Sequence, residues 1–333
     1  MATHSNIAFF IPHMGCKNSC SFCNQNSISG KTTAITISEI RSSCLSVYKT
    51  MSLDQKRTAQ IAFFGGSFTA INRNLMIKYL DCVQDFIGYD GFFGIRISTR
   101  PDAIDEEILE ILKAKSVNAI ELGAQSMDDF VLEKNLRGHT AKQTEKASKL
   151  IKNYGIELGL QMMVGLPLQD EKSVIDTSVK IASLKPQTVR IYPVVVLKNT
   201  LLEKWYNSGE FKPFDLNSSV DLCSRLLEYF NLHNINVIRL GLHAQKSMED
   251  DIVCGAYHPA FRELCENKIY LRKMTKLFDG KNPGSYKIFV NSLELSKAIG
   301  HKRSNLKKLK SDGYNVVIVC DEKCDKGILR LGL

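Results

Sequence analysis

The stretch Ile7-Ala8-Phe9-Phe10-Ile11-Pro12-His13-Met14-Gly15-Cys16-Lys17-Asn18-Ser19-Cys20-Ser21-Phe22-Cys23 runs an apolar segment directly into a loop with three cysteines. Five consecutive apolar residues closed by a proline read as a short strand covered on both faces. Further short, β-rich runs dominated by apolar residues lie at Ile61–Phe64, Gly94–Ile97, Ala119–Leu122, Leu160–Val164, Val189–Val196 and Val237–Leu240. Amphipathic stretches lie between the runs, at Ile37–Met51, Asn74–Ile87, Ala141–Tyr154, Glu171–Leu184 and Ser218–His233. Strands alternating with helices predict an α/β chain with a parallel sheet and right-handed crossovers. Periodicity leaves a closed or partial barrel and an open doubly wound sheet equally available. In both, ligands meet the C-terminal ends of the strands, here marked by Gly65-Gly66-Ser67, Ser98-Thr99-Arg100 and Gln125-Ser126.

The cysteines stand at C-x3-C-x2-C spacing. Three thiolates in so short a loop can wrap one face of an iron–sulfur cubane, each binding one iron. One iron is then left without a protein ligand, open to the amino and carboxylate groups of an amino acid. A zinc site is the alternative; structural zinc takes four protein ligands, and His13 is a candidate fourth. The chain has ten cysteines and no export signal, so a disulfide framework is not expected. Most of the others are scattered, several on apolar helix faces where a small buried hydrophobe suffices.

The 333 residues, 44% hydrophobic and 24% charged, exclude disordered and collagen-like classes. No apolar run nears the roughly 18 residues of a membrane span, so the expectation is a cytoplasmic protein without membrane contact. The net charge of +9 is uneven. From Lys268 to Leu333 there are 15 basic residues against 6 acidic, which leaves the rest of the chain neutral. A neutral body with a basic end points to a polyanionic partner, nucleic acid first.

C-x3-C-x2-C with Phe22 before the last cysteine resembles the signature of the radical S-adenosylmethionine (SAM) superfamily. Phe10–Cys16 and Phe22-Cys23-Asn24-Gln25 resemble bacterial relatives of the catalytic subunit of Elongator, the tRNA-modifying enzyme. Further matches are Phe63–Thr69, Glu121–Ser126, Leu136–Thr140, Met163–Pro167, Arg190–Pro193 with Lys198–Thr200, Ser208–Pro213 and His258–Phe261. The resemblance runs through about the first 270 residues. It implies a partial (β/α)6 barrel, and a [4Fe-4S] cluster on Cys16, Cys20 and Cys23. It also implies SAM at the cluster's open iron, cleaved on reduction to methionine and a 5'-deoxyadenosyl radical, with an electron donor such as flavodoxin or ferredoxin.

The same resemblance assigns the cofactor-binding candidates. Phe22 flanks the cluster; Gly65 and Gly66 let the backbone approach the methionine ammonium, and Ser67 supports the same group. Ser98 ends the third strand where some relatives carry an acidic residue. Gln125 contacts the ribose or carboxylate, Arg137 suits the methionine carboxylate, and Gln161 stands where relatives hold the ribose with an aspartate. Tyr192 and Lys198 are the substrate-side catalytic candidates, with His258 beside them.

Two units are expected: a barrel with an Elongator-like extension over 1–270, and a basic α+β segment over 271–333. The latter reads strand, helix, turn, basic helix, strand. Its turn, Gly300-His301-Lys302-Arg303, resembles the G-x-x-G loop of a KH RNA-binding module with Arg303 in place of the second glycine. Lys302, Arg303, Lys307, Lys308 and Lys310 are the candidate phosphate contacts. Cys320 and Cys324 form a second close pair, read as chance or a weak metal site. Elongator's subunit carries an acetyltransferase-like domain after its barrel, and about 65 residues are too few for one. Acetyl-CoA use is therefore in doubt. The expected function is a radical SAM enzyme acting on RNA, with tRNA the leading substrate. The alternatives are a radical SAM enzyme acting on a small molecule or protein, and a non-enzymatic zinc- and RNA-binding protein.

Overall fold

The computed structural model describes residues 5–11, 14–16, 19–24, 35–243 and 246–332. His13 and Gln25, named above, lie outside them. In chain order the elements are β1 (Ser5–Ile11), α1 (Ile37–Thr50), α2 (Leu53–Lys56), β2 (Ala59–Gly65), α3 (Arg73–Asp81), β3 (Gly94–Thr99), α4 (Glu106–Ala114), β4 (Val117–Gln125), α5 (Asp129–Lys134), α6 (Ala141–Asn153), β5 (Glu157–Val164) and α7 (Glu171–Ser183). There follow β6 (Thr188–Pro193), β7 (Val195–Leu197), α8 (Leu201–Asn207), α9 (Leu216–Leu232), β8 (Asn236–Leu240), α10 (Lys246–Glu249), β9 (Ile252–Gly255), α11 (Phe261–Leu277), β10 (Gly284–Val290), α12 (Leu295–Ile299), α13 (Ser304–Ser311), β11 (Tyr314–Cys320) and β12 (Arg330–Gly332).

Seven strands form one parallel sheet in the order β1-β2-β3-β4-β5-β6-β8. Outward side chains such as Ile61, Phe63, Ile97, Ile120, Leu160 and Ile191 are fully or almost fully buried beneath the helices. Helix starts are written locally: Thr36 and Glu39 make a capping box before α1, and Asp105 caps α4. The inward face is polar. Arg96 is 1% exposed and donates to Gln60 (2.8 Å), Glu121 (3.1 Å) and Glu157 (2.7 Å). Arg190 meets the same Glu121 at 2.6 Å. The Arg96–Glu157 and Arg190–Glu121 contacts each skip a strand, and Arg190 of β6 also lies 5.1 Å over the ring of Phe64 in β2. Inner-face contacts between strands so far apart in the order require a strongly curved sheet, a half-barrel.

The architecture is thus the α/β half-barrel expected, with a seventh parallel strand, β8, beyond the six that the resemblance implies. Two expected elements divide. Val189–Val196 breaks after Pro193, which has no N–H to continue a ladder, into β6 and the short β7 that pairs with β9. Asn74–Ile87 ends as α3 at Asp81, with a separate 3-10 turn at Gln84–Phe86.

The chain's last part folds as β10-α12-loop-α13-β11 with β12 against β10. Helices on one face of this sheet enclose Ile288, Val290, Ala298 and Leu309. The division drawn at 270/271 falls inside one helix. Phe261, Cys265 and Ile269 of α11 belong to the barrel core, whereas Tyr270 and Met274 of the same helix belong to the second core. Among the described residues no helix is long and apolar enough to cross a membrane.

Candidate active site: the cysteine loop at the strand ends

The cysteine loop leaves β1 and is fastened backbone to backbone against the turn after β2. Ile11 O accepts from Gly66 N and Met14 O from Ser67 N, both at 3.0 Å. The approach is so close that a Cβ on Gly66 would stand 2.0 Å from Met14 O, and one on Gly15 (φ +74°) 2.2 Å from Ser67 O. Glycine is required here for the loop itself to dock, a reason the sequence reading did not see. The Ser67 hydroxyl is fully buried and bonded to Thr99 Oγ1 (2.8 Å) and Arg100 N (3.2 Å), so it holds the β2 and β3 strand ends together.

Between the second and third cysteines, Ser21 is the anchor. Its hydroxyl donates to Asn135 Oδ1 (2.6 Å) and its N–H to Asn135 O (3.2 Å). Its carbonyl accepts the Leu202 N–H (2.8 Å), an orphan donor of the first turn of α8. Asn135 is fully buried and donates in turn to Val131 O (2.8 Å) and Pro167 O (3.2 Å). The Cys23 N–H donates to Cys20 O at 3.1 Å, closing a turn that sets the last two cysteines. Phe22 packs on the apolar group of Val131, Met163, Leu166 and Leu202.

Two arginines face the sulfurs. Arg137, 6% exposed, donates from Nη1 to Cys20 Sγ (3.0 Å) and from Nη2 to Gly123 O (2.6 Å), with its guanidinium 6.0 Å over the Phe22 ring. Its Nε is buried without a hydrogen-bond partner. Arg100 grips Asp102 through two bonds (2.9 and 3.0 Å), feels the charges of Cys20 and Cys16, and keeps a buried Nη1 without a partner. Burial raises the Asp102 carboxyl, but Arg100 outweighs it and holds the pKa below the ordinary value. Buried donors with unused capacity beside thiols fit a group that is anionic when bound.

Gln161 Nε2 donates to Gln125 Oε1 at 3.1 Å, bringing two of the expected cofactor contacts together on the inner face. Gln125 adopts φ +66°, next to a register shift in β4. Ser98 is half-buried on the same face, in register with Glu121. Tyr192 is half-buried on β6, on the same face as Arg190 two residues before it. Lys198 donates from its Nζ to Asp250 O (2.7 Å), and that nitrogen lies 3.9 Å from Asp251 Oδ1, bracing the β7–β9 pair. What it offers the cysteine loop is its carbonyl, which accepts from Asn24 Nδ2 at 2.9 Å. His258 Nδ1 accepts the Ala260 N–H (3.0 Å), which organises a turn. Cys324 is buried and accepts from Arg330 Nε at 3.2 Å, whereas Cys320 is exposed.

Among the described residues no three His, Cys, Asp or Glu side chains gather as ligands of a single ion; thiolates that each bind a different iron need no common point. Ser21, Asn135, Gly15 and Arg100 were missed from sequence. Arg100 carried a signal as the last residue of a polar turn at a strand end, and Gly15 and Ser21 stand within the quoted cysteine stretch; Asn135 carried none.

The signature of the Radical SAM superfamily matches residues 10–179, and that of the Radical_SAM C-terminal domain residues 186–271. An uncharacterized protein of Methanocaldococcus jannaschii is 32% identical over 183 residues, 54% of this chain and 57% of that one. The tRNA uridine(34) acetyltransferase of the same organism is 31% identical over 131 residues, 38% of this chain and 24% of its own. The chain therefore spans little more than half of the first relative and about a quarter of the second. Among solved structures, the archaeal Methanocaldococcus infernus Elp3 aligns over 81% of this chain and 63% of its own, with a TM-score of 0.63 and 19% identity, a likeness of fold. The superfamily signature covers just over half the chain and includes the whole cysteine loop, and on that ground the chain belongs to the radical SAM superfamily, a class of enzymes.

Proposed function

We propose that this protein is a radical SAM enzyme that modifies RNA, with tRNA as the leading substrate. In this reading Cys16, Cys20 and Cys23 hold a [4Fe-4S] cluster, and SAM lies along the strand ends at Gly65-Gly66, Gln125, Arg137 and Gln161. The observation that carries it is the pairing of a buried arginine with a cysteine of the loop, Arg137 Nη1 to Cys20 Sγ at 3.0 Å. When bound, the cluster and SAM supply one-electron cleavage of a carbon–sulfur bond and so a hydrogen-abstracting radical.

The chain's own residues do the rest. Arg137 and Arg100 place positive charge beside the sulfurs, which complements an anionic group bound there. The Ser21–Asn135 lock fixes the Cys20–Cys23 turn before any ligand arrives. The packed network of Gln60, Arg96, Glu121, Glu157 and Arg190 occupies the inner face nearer the strands' N-terminal ends, and Phe10 and Phe64 cover it with an apolar layer, which limits water at the strand ends.

The RNA substrate is supported by the net charge of +9 in the last 66 residues, by the helix–loop–helix between parallel β10 and β11, and by relatives named for tRNA uridine chemistry. Anaerobic purification should give iron and sulfide, and dithionite with SAM should yield methionine and 5'-deoxyadenosine, lost in each Cys→Ala variant. Zinc without iron and sulfide would reject the enzymatic reading. Nucleoside mass spectrometry of tRNA from a deletion strain tests the substrate: a missing modified nucleoside supports it, and an unchanged profile refutes it.

A further inference from the structure

Most arginines on the inner face and helices of the half-barrel are matched to carboxylates. Arg96 has Glu121 and Glu157, Arg190 has Glu121, and Arg262 at the start of α11 has Glu266 at 3.0 Å. Arg239, on the edge strand β8, forms no ion pair among the described residues. Its Nε donates to the Gly241 carbonyl at 2.9 Å, and the residue is half-buried. Burial works against its charge, and Arg190 and Arg262 add to the opposition. His243, although it keeps exposed surface, is pushed down to about 4 by burial and by Arg239 and Arg190.

Arg239 lines a cavity of about 130 Å³ together with Leu242, Pro259, Ala260, Arg262 and Glu263. The first turn of α11 is part of that wall, and its cap residue Ala260 supplies no side-chain acceptor to the helix N–H groups. The basic loop adjoins the same turn. His301 Nδ1 is 3.4 Å from Glu263 Oε1, and the His301 ring stands edge-on to His258 at 5.5 Å. In that loop Lys302 and Arg303 are exposed and both left-handed, at φ +50° and +63°. Two consecutive non-glycine residues in this region are costly and persist where the surrounding fold enforces them.

We propose that the cavity between Arg239 and Arg262 is a phosphate seat. With Lys302 and Arg303 it forms one track that leads a phosphate backbone from the helix–loop–helix to the open edge of the half-barrel. The seat is a claim about the cavity; that its phosphate belongs to RNA rests on the function proposed above.

The test uses the full chain with two probes: a labelled single-stranded RNA in anisotropy titrations across salt concentrations, and inorganic phosphate in thermal unfolding against chloride at equal ionic strength. Arg239→Gln should weaken RNA binding about tenfold, the weight of one charge-assisted contact. It should lower the salt slope by about 0.7, one single-strand phosphate. Arg239→Lys should restore much of the slope, and the Lys302→Ala/Arg303→Ala pair should lose about twice as much of it as Arg239→Gln. Phosphate should raise the melting temperature of the wild type and leave that of Arg239→Gln unmoved. An RNA slope equal to wild type in Arg239→Gln, or one lowered no more than by Lys142→Ala on α6, together with equal phosphate protection of both proteins, overturns the seat. Phosphate protection of the wild type alone, with no salt-dependent RNA binding, keeps the seat, assigns it to a phosphorylated small molecule and removes the RNA reading.

Discussion

Asn135 is the residue whose removal says most about how the cysteine loop is held. Its side chain makes three hydrogen bonds, one accepted from Ser21 Oγ and two donated to the carbonyls of Val131 and Pro167. Neutral bonds of this kind contribute about 1 kcal/mol each net, and a buried donor left without an acceptor costs about 1–3 kcal/mol. Ser21 is fully buried, so Asn135→Ala strands its hydroxyl. The expected total is about 3–5 kcal/mol, against a usual stability of about 5–15 kcal/mol. Ser21→Ala removes one of the three bonds and costs about 1–2 kcal/mol. In the double variant the stranded hydroxyl no longer exists, so a coupling of about 1–2 kcal/mol should appear in urea-unfolding midpoints. The loop consequence is separable from stability. At temperatures where every variant is folded, both single variants should take up less iron on anaerobic reconstitution, while backbone circular dichroism is unchanged. Additive energies with full iron uptake would show that the Ser21–Asn135 pair does not set the loop.

Gly66→Ala places a Cβ against Met14 O, so the loop must move away from the β2 turn; iron uptake should fall by more than in Ser21→Ala, measured as iron and sulfide per chain. Glu121→Gln leaves Arg96 and Arg190 sharing one neutral partner and should cost about 3–5 kcal/mol in urea unfolding. His139 is buried, and burial first, then Arg137, pushes its pKa from 6.5 down to about 4. The unfolded chain therefore takes up this proton first as the pH falls. The stability it contributes is present above about 6.5 and is lost progressively toward 4, so His139→Gln should flatten the stability–pH curve in that window.

The parts of the fold carried by local patterns were legible in the sequence. Each of the seven runs holds a strand of the sheet, because the outward face packs under the helices and keeps every second residue apolar. Polar residues such as Arg96, Glu121 and Arg190 fill the inner face. The cysteine spacing was legible because ligands of one cluster lie within a single loop. What was not legible is what depends on distant pairs. Ser21 and Asn135 stand 114 positions apart, and neither residue type announces a partner. The glycines of the β2 turn were read for their approach to a ligand, yet they are also needed for the approach of the loop's own backbone. Lys198 adds a second instance: a basic residue in a recognised stretch was read by its side chain, and its carbonyl also holds the loop by accepting from Asn24 Nδ2.

The boundary between the two cores bears on how the basic segment works. A module joined by a flexible linker acts through its local concentration, and its orientation is averaged. Here the join is α11, a single helix that buries Ile269 in one core and Tyr270 in the other. Asn305 at the start of α13 strengthens the connection: its Nδ2 donates to Asn267 O of α11 (2.9 Å) and to Lys297 O and Ala298 O of α12. One buried amide thus ties both helices of the helix–loop–helix to the connecting helix. Turning the basic loop relative to β8 would require breaking these bonds and opening a packed interface, which is a local unfolding event and not a hinge motion. The spacing between Lys302, Arg303 and Arg239 is therefore a fixed property of the fold. If the proposed seat takes RNA, a phosphate backbone held at one end is presented to the half-barrel edge at one distance, so these contacts set the register of the bound strand and leave discrimination among bases to other groups.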